Sequence, residues 1–345
     1  MLPIPLSFPV MEASTVAELP AESGWQFEPK WDGFRCVAFR DGHRLDLMGK
    51  SGRPLTTAYP EIANALQAVA ANHFVLDGEL VVPIGDHLSY TDLIQRLHPA
   101  AAQLARERPA MFVLFDLLVD DRGESLIERP LAERRAALAD FAARHLAASP
   151  RLRLSPATTS LNRARRWYGT RDGATDGVIA KRVAADYRSG MRDGVVKLKP
   201  VRTVDCVVGG FTVDADQAGI DRLLLGLFDD EGLLHRVGTT APVSADDRLA
   251  LGERLNGHPR QDGFTGCHPP GSRGTDALDW IPADGETVVE VRYEQVVHDH
   301  FRHAAHLVRW RVDKDARHCH LDQLEPPKSA LPALLRRRPV REPVG

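Results

Sequence analysis

The chain has 345 residues and a formal net charge of −3, enough length for two domains with a core each. Its 43% hydrophobic and 26% charged content is that of a folded, water-compatible chain. A charge so close to balance excludes nucleic-acid affinity spread over the whole surface, so any such binding must come from local basic patches. The four cysteines, Cys36, Cys206, Cys267 and Cys319, form no C-x-x-C pair. That argues against a structural zinc site and a disulfide framework, and suits a reducing compartment. The start, Met1 to Pro9, has no basic n-region and is broken by proline, which excludes a signal peptide. No stretch is long and apolar enough to span a bilayer. These features predict a cytoplasmic protein.

In chain order, residues 1–24 are spotted with proline and predict an extended lead-in over the surface. Next comes Glu28-Pro-Lys30-Trp-Asp32-Gly33-Phe-Arg35, one lysine among opposite charges where a strand pattern begins. Gly33 there permits close approach to a ligand or a positive φ. Two extended runs, Phe34–Arg40 and Arg44–Met48, flank Asp41-Gly42 and predict a hairpin, with Lys30 at a sheet edge. Ile62, Leu66 and Val69 predict a helix over Pro60–Asn72. His73–Val82 reads as a strand interrupted by Asp77-Gly78-Glu79, a local conflict of the kind that marks sites. Met111–Val119 reads as a further strand. Leu131–Leu146 reads as a helix resting on Leu131, Leu138 and Phe141 with its arginines to solvent. Leu161–Tyr168 is a shorter helix holding Arg163, Arg165 and Arg166. Asp176–Lys181 and Gly194–Lys199 are two more strands.

The texture changes after Pro200. Short strands at Val204–Val213, Arg222–Phe228, Leu233–Val237 and Thr287–Tyr293, with a helix at about Ala245–Leu255 between them, predict a small antiparallel barrel of the OB-fold type. The organisation read from the sequence is therefore residues 1–200, a barrel at 201–323, and a proline-rich basic tail at 324–345 with Arg336-Arg337-Arg338. Two decoys are set aside. Gly49-Lys50-Ser51 lacks the earlier glycine of a P-loop, since Arg44 stands there. His298, His300, His303 and His306, with His318 and His320, have no cysteine pairs and read as a solvated strand face.

Taken together, the series resembles the ATP-dependent DNA ligases, most closely the short bacterial C-type enzymes. The matching sites, in order, are Glu28-x-Lys30-x-Asp32-Gly33-x-Arg35, Lys50, Asp77-Gly78-Glu79, Phe115-Asp116, Asp176-Gly177-Val178, Lys197-x-Lys199, and Arg309-Trp-Arg311-Val-Asp313-Lys314. The resemblance implies an α+β nucleotidyltransferase domain, ATP-grasp-like, with antiparallel sheets and helices, followed by an OB-fold barrel. It implies that Lys30 attacks the α-phosphorus of ATP, keeps AMP as a phosphoramidate, and passes it to the 5′-phosphate of a nick for displacement by the 3′-hydroxyl. A lysine nucleophile must be neutral, and at neutral pH only on the order of one in a thousand ordinary lysines is. Lys197, Lys199 or bound Mg²⁺ (or Mn²⁺) are expected to lower that pKa.

By the same resemblance Phe115 stacks on adenine and Glu28 helps place it, while Arg35 and Lys50 reach the ribose or the nick. Glu79 and Asp176 hold the metal, and Arg192 meets a phosphate. Arg309, Arg311, Asp313 and Lys314 orient the leaving pyrophosphate. Family members more often carry arginine at Lys50 and at His306, and glutamate at Asp176. Only 29 residues precede Lys30, which predicts no additional N-terminal DNA-binding domain. The expected partner is nicked duplex DNA, held in part by Lys181-Arg182, Arg188, Arg192 and Arg302. Repair polymerases or end-binding proteins are expected as further partners, and the enzyme as a monomer at the bacterial nucleoid. An RNA ligase or mRNA guanylyltransferase shares the lysine chemistry, and a nick-binding module without catalysis is the reading from another class.

Overall fold

In the computed structural model the described residues are 1–85, 87–97, 101–169, 175–213, 219–244, 255, 263–265, 280–297 and 299–324. The chain divides into two compact units, with the break between Pro200 and Val201. None of the described helices is long and apolar enough to cross a membrane. Most of the predicted helix at Ala245–Leu255, Cys267, His298 and the basic tail beyond Leu324 lie outside the described residues.

Among its described residues the first unit holds eleven strands and five helices. Its strands are β1 (Ser14–Thr15), β2 (Trp25–Trp31), β3 (Phe34–Asp41), β4 (Arg44–Gly49), β5 (His73–Val81), β6 (Pro83–Ile84), β7 (His87–Leu88), β8 (Met111–Val119), β9 (Leu152–Leu154), β10 (Thr175–Arg182) and β11 (Val195–Leu198). Its helices are α1 (Pro60–Gln67), α2 (Tyr90–Gln95), α3 (Ala101–Glu107), α4 (Leu131–His145) and α5 (Leu161–Gly169). One sheet runs β4-β3-β5-β8-β9 and a second runs β1-β11-β10-β2. β8 lies inside the first sheet, and its near-continuous apolar run is buried on both faces. The Asp41-Gly42 hairpin forms as predicted, Asp41 pairing Arg44 with Gly42 at φ +62°. α1 stops at Gln67, five residues short of the predicted end, although Val69 beyond it remains buried.

Three sequence expectations are corrected here. Residues 1–24 do not simply lie over the surface: Ile4, Val10 and Met11 are buried against Val37, Phe39, Val75, Leu118, Val119 and Tyr187. This strap ends in β1, which pairs parallel to β11 through Ser14–Val196 and Thr15–Lys197. Arg134 on α4 is not solvated but buried, its guanidinium bidentate on Asp116 at 2.9 and 3.0 Å. Backbone groups complete the pair: Arg134 Nη1 donates to Arg129 O and Ala185 O, and Asp116 Oδ1 accepts from Leu117 N. Gly33 does not take a positive φ. A Cβ there would stand 2.2 Å from the carbonyl oxygen of Leu80, so only glycine lets the chain cross from β2 in one sheet to β3 in the other.

The second unit is a curled antiparallel sheet. Its strands are β12 (Arg202–Val213), β13 (Ile220–Phe228), β14 (Leu234–Thr239), β15 (Ile281–Pro282), β16 (Val288–Tyr293), β17 (Val296–Val297), β18 (His300–Phe301) and β19 (His306–Trp310). The sheet order is β14-β13-β12-β16-β19. Ala305, just before β19, bridges Thr240, just after β14, and Ala305 N donates to Thr239 O at 2.8 Å. The two edges therefore meet and the sheet closes into a barrel, around Cys206, Val208, Leu223, Leu225, Val237, Val289 and Val291.

Candidate active site

Lys30 stands on β2, the edge strand of its sheet, and faces a cleft of about 270 Å³. The cleft is lined by strap residues Val10 to Ala13, by Glu28 and Lys30 of β2, and by Arg35, Lys50, Glu79, Phe115, Lys181 and Lys197. The Lys30 ammonium lies 2.8 Å from Asp176 Oδ2. Burial works to push the Lys30 pKa down, but Asp176, Asp32 and Glu79 outweigh it and hold it above the ordinary lysine value. Lys197 and Lys199 do not by themselves bring it down, contrary to that part of the expectation. The reason is geometric, since its nearest charged neighbours are carboxylates. Lys199 does not face Lys30 alone: its ammonium is 3.8 Å from the same Asp176 oxygen.

Glu79 sits opposite Arg35 across the β3–β5 ladder. Burial pushes its pKa up to about 8, with Asp32 and Asp77 adding repulsion against the pull of Arg35 and Lys30. Gly177 opens the turn that brings Asp176 to Lys30. It has φ +112°, at the register shift between Thr175 and Val178, and a Cβ there would meet Leu198 O at 1.9 Å.

The far end of the cleft is a ring with two cations over it. Arg35 Cζ lies 4.6 Å and Lys181 Nζ 4.5 Å from the centroid of Phe115. Arg35 is fixed from behind by Asp77, through Nε–Oδ1 and Nη2–Oδ2 contacts of 2.5 Å. Asp77 also accepts from the Tyr187 hydroxyl at 2.7 Å, and that hydroxyl accepts from Met11 N at 3.1 Å. Lys181 is buried, 2.9 Å from Glu28 Oε1, which also accepts from Gln26 at 2.8 Å. Lys181 therefore belongs to the cleft, not to an outward DNA-facing surface, contrary to the sequence reading. Tyr187 and Asp77 are part of the support that sequence reasoning did not assign.

At the strap end lie Lys50, Arg192, Lys197 and Lys199. Lys50 and Arg192 are half or more exposed and share the carboxylate of Glu12. Lys197 is pulled below the ordinary lysine range by burial and by Lys199, Lys30, Lys50 and Arg192 around it. The other cations expected on DNA have partners within their own units: Arg182 has Glu22 and the Trp25 ring, Arg188 has Asp186 and Asp193, and Arg302 has Gln295.

In the second unit Arg309 holds Glu290 at 2.6 Å. Arg311 grips Asp205 at 2.8 and 2.9 Å and Asp313 at 2.9 and 3.0 Å, and Lys314 reaches Asp205 at 2.9 Å. The Arg311 guanidinium holds the Asp313 carboxyl down at about 2. Asp205 on β12, outside every recognised motif, organises this cluster and left no signal in the sequence.

A ring able to take a base, cations able to take phosphates, and Lys30 in the same cleft suit nucleotidyl transfer through that lysine. Comparison with known proteins narrows the class. Residues 9–199 match the family described as ATP dependent DNA ligase domain. DNA ligase C2 of Mycolicibacterium smegmatis is 40% identical over 342 residues, covering 92% of this chain and 94% of that protein. DNA ligase C of Mycobacterium tuberculosis is 37% identical over 352 residues, covering 94% and 96%. A solved Lig E DNA ligase, described as a minimal DNA-binding scaffold, covers 88% of this chain and 99% of its own at 17% identity and a TM-score of 0.54, a likeness of fold. The chain belongs to the ATP-dependent DNA ligase family, and it is an enzyme of that kind.

Proposed function

We propose that the enzyme seals nicks bearing a 5′-phosphate and a 3′-hydroxyl in duplex DNA, in repair, through AMP carried on Lys30. The observation that carries this reading is that one cleft is lined by Lys30, the Phe115 ring and the cations Arg35, Lys50, Lys181 and Lys197. Its Nζ forms the bond to the α-phosphorus as the bond to the pyrophosphate oxygen breaks, and a proton leaves the nitrogen. Asp176 aims the ammonium, and Phe115 with Arg35, Lys181 and Glu28 holds the base and ribose. Lys197 and Lys199 offset phosphate charge. Arg309, Arg311, Asp313 and Lys314 serve the leaving pyrophosphate. Asp32 and Gly33 fix the turn that follows the lysine.

Glu79 and Asp176 would hold a Mg²⁺ ion. Among the described residues no group of three or more His, Cys, Asp or Glu side chains is placed to cage a metal. Mg²⁺ takes one or two carboxylates and fills its other positions with water and phosphate oxygens. The crowding that raises Glu79 is the kind a hard cation relieves. Bound there, it would supply charge neutralisation for the phosphates. A monomer acting on nicked duplex in the cytoplasm is consistent with this chemistry.

Incubation with α-labelled ATP or GTP, followed by a chase with nicked duplex, tests the reading. Label from ATP alone should stay on the protein and then leave as AMP with a sealed strand. Retention of GMP would favour the guanylyltransferase reading, and sealing of nicked RNA in preference to DNA the RNA-ligase one. A pH profile of single-turnover adenylylation follows from the electrostatics. Lys30 is held above its ordinary value, so its neutral fraction rises up to about tenfold per pH unit through neutrality. The rate should climb across that range, and a flat profile would separate Lys30 ionisation from the step.

A further inference from the structure

Glu12 lies outside every motif, yet it stands among the cations of the cleft. Its Oε1 is 2.9 Å from Lys50 Nζ, and its Oε2 is 3.0 Å from Arg192 Nη2 and 3.2 Å from Nε. Each oxygen serves one cation, as two oxygens of a bound phosphate would. The backbone beneath it is pinned: Glu12 N donates to Met191 O at 2.9 Å, Met11 N to the Tyr187 hydroxyl at 3.1 Å, and Val16 N to Lys197 O at 3.0 Å. The strap therefore cannot carry the carboxylate away. The side chain keeps 27% of its surface exposed, so rotation about its own bonds is open to it.

We propose that Glu12 is a resident competitor for phosphate in this cleft. In the ligand-free enzyme it holds Lys50 and Arg192 in place, and it must turn aside when a phosphate oxygen takes them. This rests on the proposed function, which brings phosphates to these cations from two sources, a triphosphate chain or the 5′-phosphate of a DNA end. Lys197, clustered with four other cations, is a further contact for the incoming anion. Glu12 is accordingly a positioning residue that sets affinity, not one that touches the reacting atoms.

The sign of the effect separates competition from support. If Glu12 only propped Lys50 and Arg192, removing its charge would weaken phosphate binding. If it competes, Glu12→Gln should strengthen binding by about threefold to tenfold, the scale of partly exposed ion pairs. Binding is measured calorimetrically on the full chain in EDTA, with tripolyphosphate in one arm and nicked duplex with or without its 5′-phosphate in the other. Tightening toward tripolyphosphate assigns the subsite to the triphosphate chain. Tightening confined to the 5′-phosphorylated nick assigns it to the DNA end. Unchanged or weaker binding in both arms overturns the proposal, as does tightening that survives in a Lys50→Met background. Glu18→Gln, an exposed acid just beyond the strap, controls for net charge and should change neither. For ATP, Glu12→Gln should lower KM while the rate at saturation moves less than about twofold. Wild-type adenylylation is assayed alongside. Its absence would count against the ligase chemistry, whereas the binding arms judge Glu12 without it.

Discussion

Replacing Lys30 by alanine should abolish covalent labelling by ATP, a loss of at least about a thousandfold, because the attacking nitrogen itself is removed. Arginine should fail equally. Its guanidinium stays protonated at any pH the protein survives, and its planar fork cannot present a free lone pair. The fold should persist in both variants. Lys30 and Asp176 keep 22% and 16% of their side-chain surface exposed, and Asp176 retains Lys199 at 3.8 Å. Loss of the bridge therefore strands no fully buried charge, and the cost should stay within about 1 kcal/mol. Intact-mass spectrometry after incubation with ATP and Mg²⁺ gives the readout, with thermal unfolding beside it. A normal AMP adduct on either variant would remove Lys30 from its role.

The reach of sequence reasoning differs between the parts of this site. Lys30 and Glu79 stood out in short patterns with their own logic, a charged cluster at a strand start and acids inside an apolar strand, whereas Phe115 and Lys197 were named only through the family resemblance. The edge position of β2 and the hairpin at Asp41-Gly42 follow from the same local rules. What stayed hidden depends on groups far apart in the chain. Arg134 reads as a solvated helix residue until Asp116 on β8 is brought against it. Lys181 reads as a surface cation until Glu28 and the Phe115 ring close around it. The strap has no hydrophobic period, because its prolines set its path and Ile4, Val10 and Met11 fill separate gaps in the sheet face. The direction of the Lys30 shift was misjudged for a related cause. Motif spacing names the charged residues of a cleft but not which lie nearest the ammonium, and here three carboxylates do.

The largest effect on stability should come from Asp77. It is fully buried and holds Arg35 through two 2.5 Å contacts, with the Tyr187 hydroxyl at 2.7 Å. Asp77→Asn keeps the shape but turns one of two acceptors into a donor facing a guanidinium, and leaves that cation without its counter-charge. Breaking a buried pair from one side costs about 3–5 kcal/mol. Arg35 keeps 25% of its side-chain surface in water, which places the expected loss near the lower end, about 3 kcal/mol. Removing both charges with Asp77→Leu and Arg35→Leu should cost clearly less than the two single changes added together, because neither charge is then stranded. Denaturant unfolding of the two single variants and the double closes this cycle. Arg35 also lies 4.6 Å from the centroid of Phe115, so Asp77→Asn should raise KM for ATP at temperatures where the fold is intact. The Arg35 guanidinium, released from its anchor, no longer stays over the ring. An Asp77→Asn loss below about 1 kcal/mol, with strictly additive double-variant energies, would show that the pair neither stabilises the sheet nor aims Arg35.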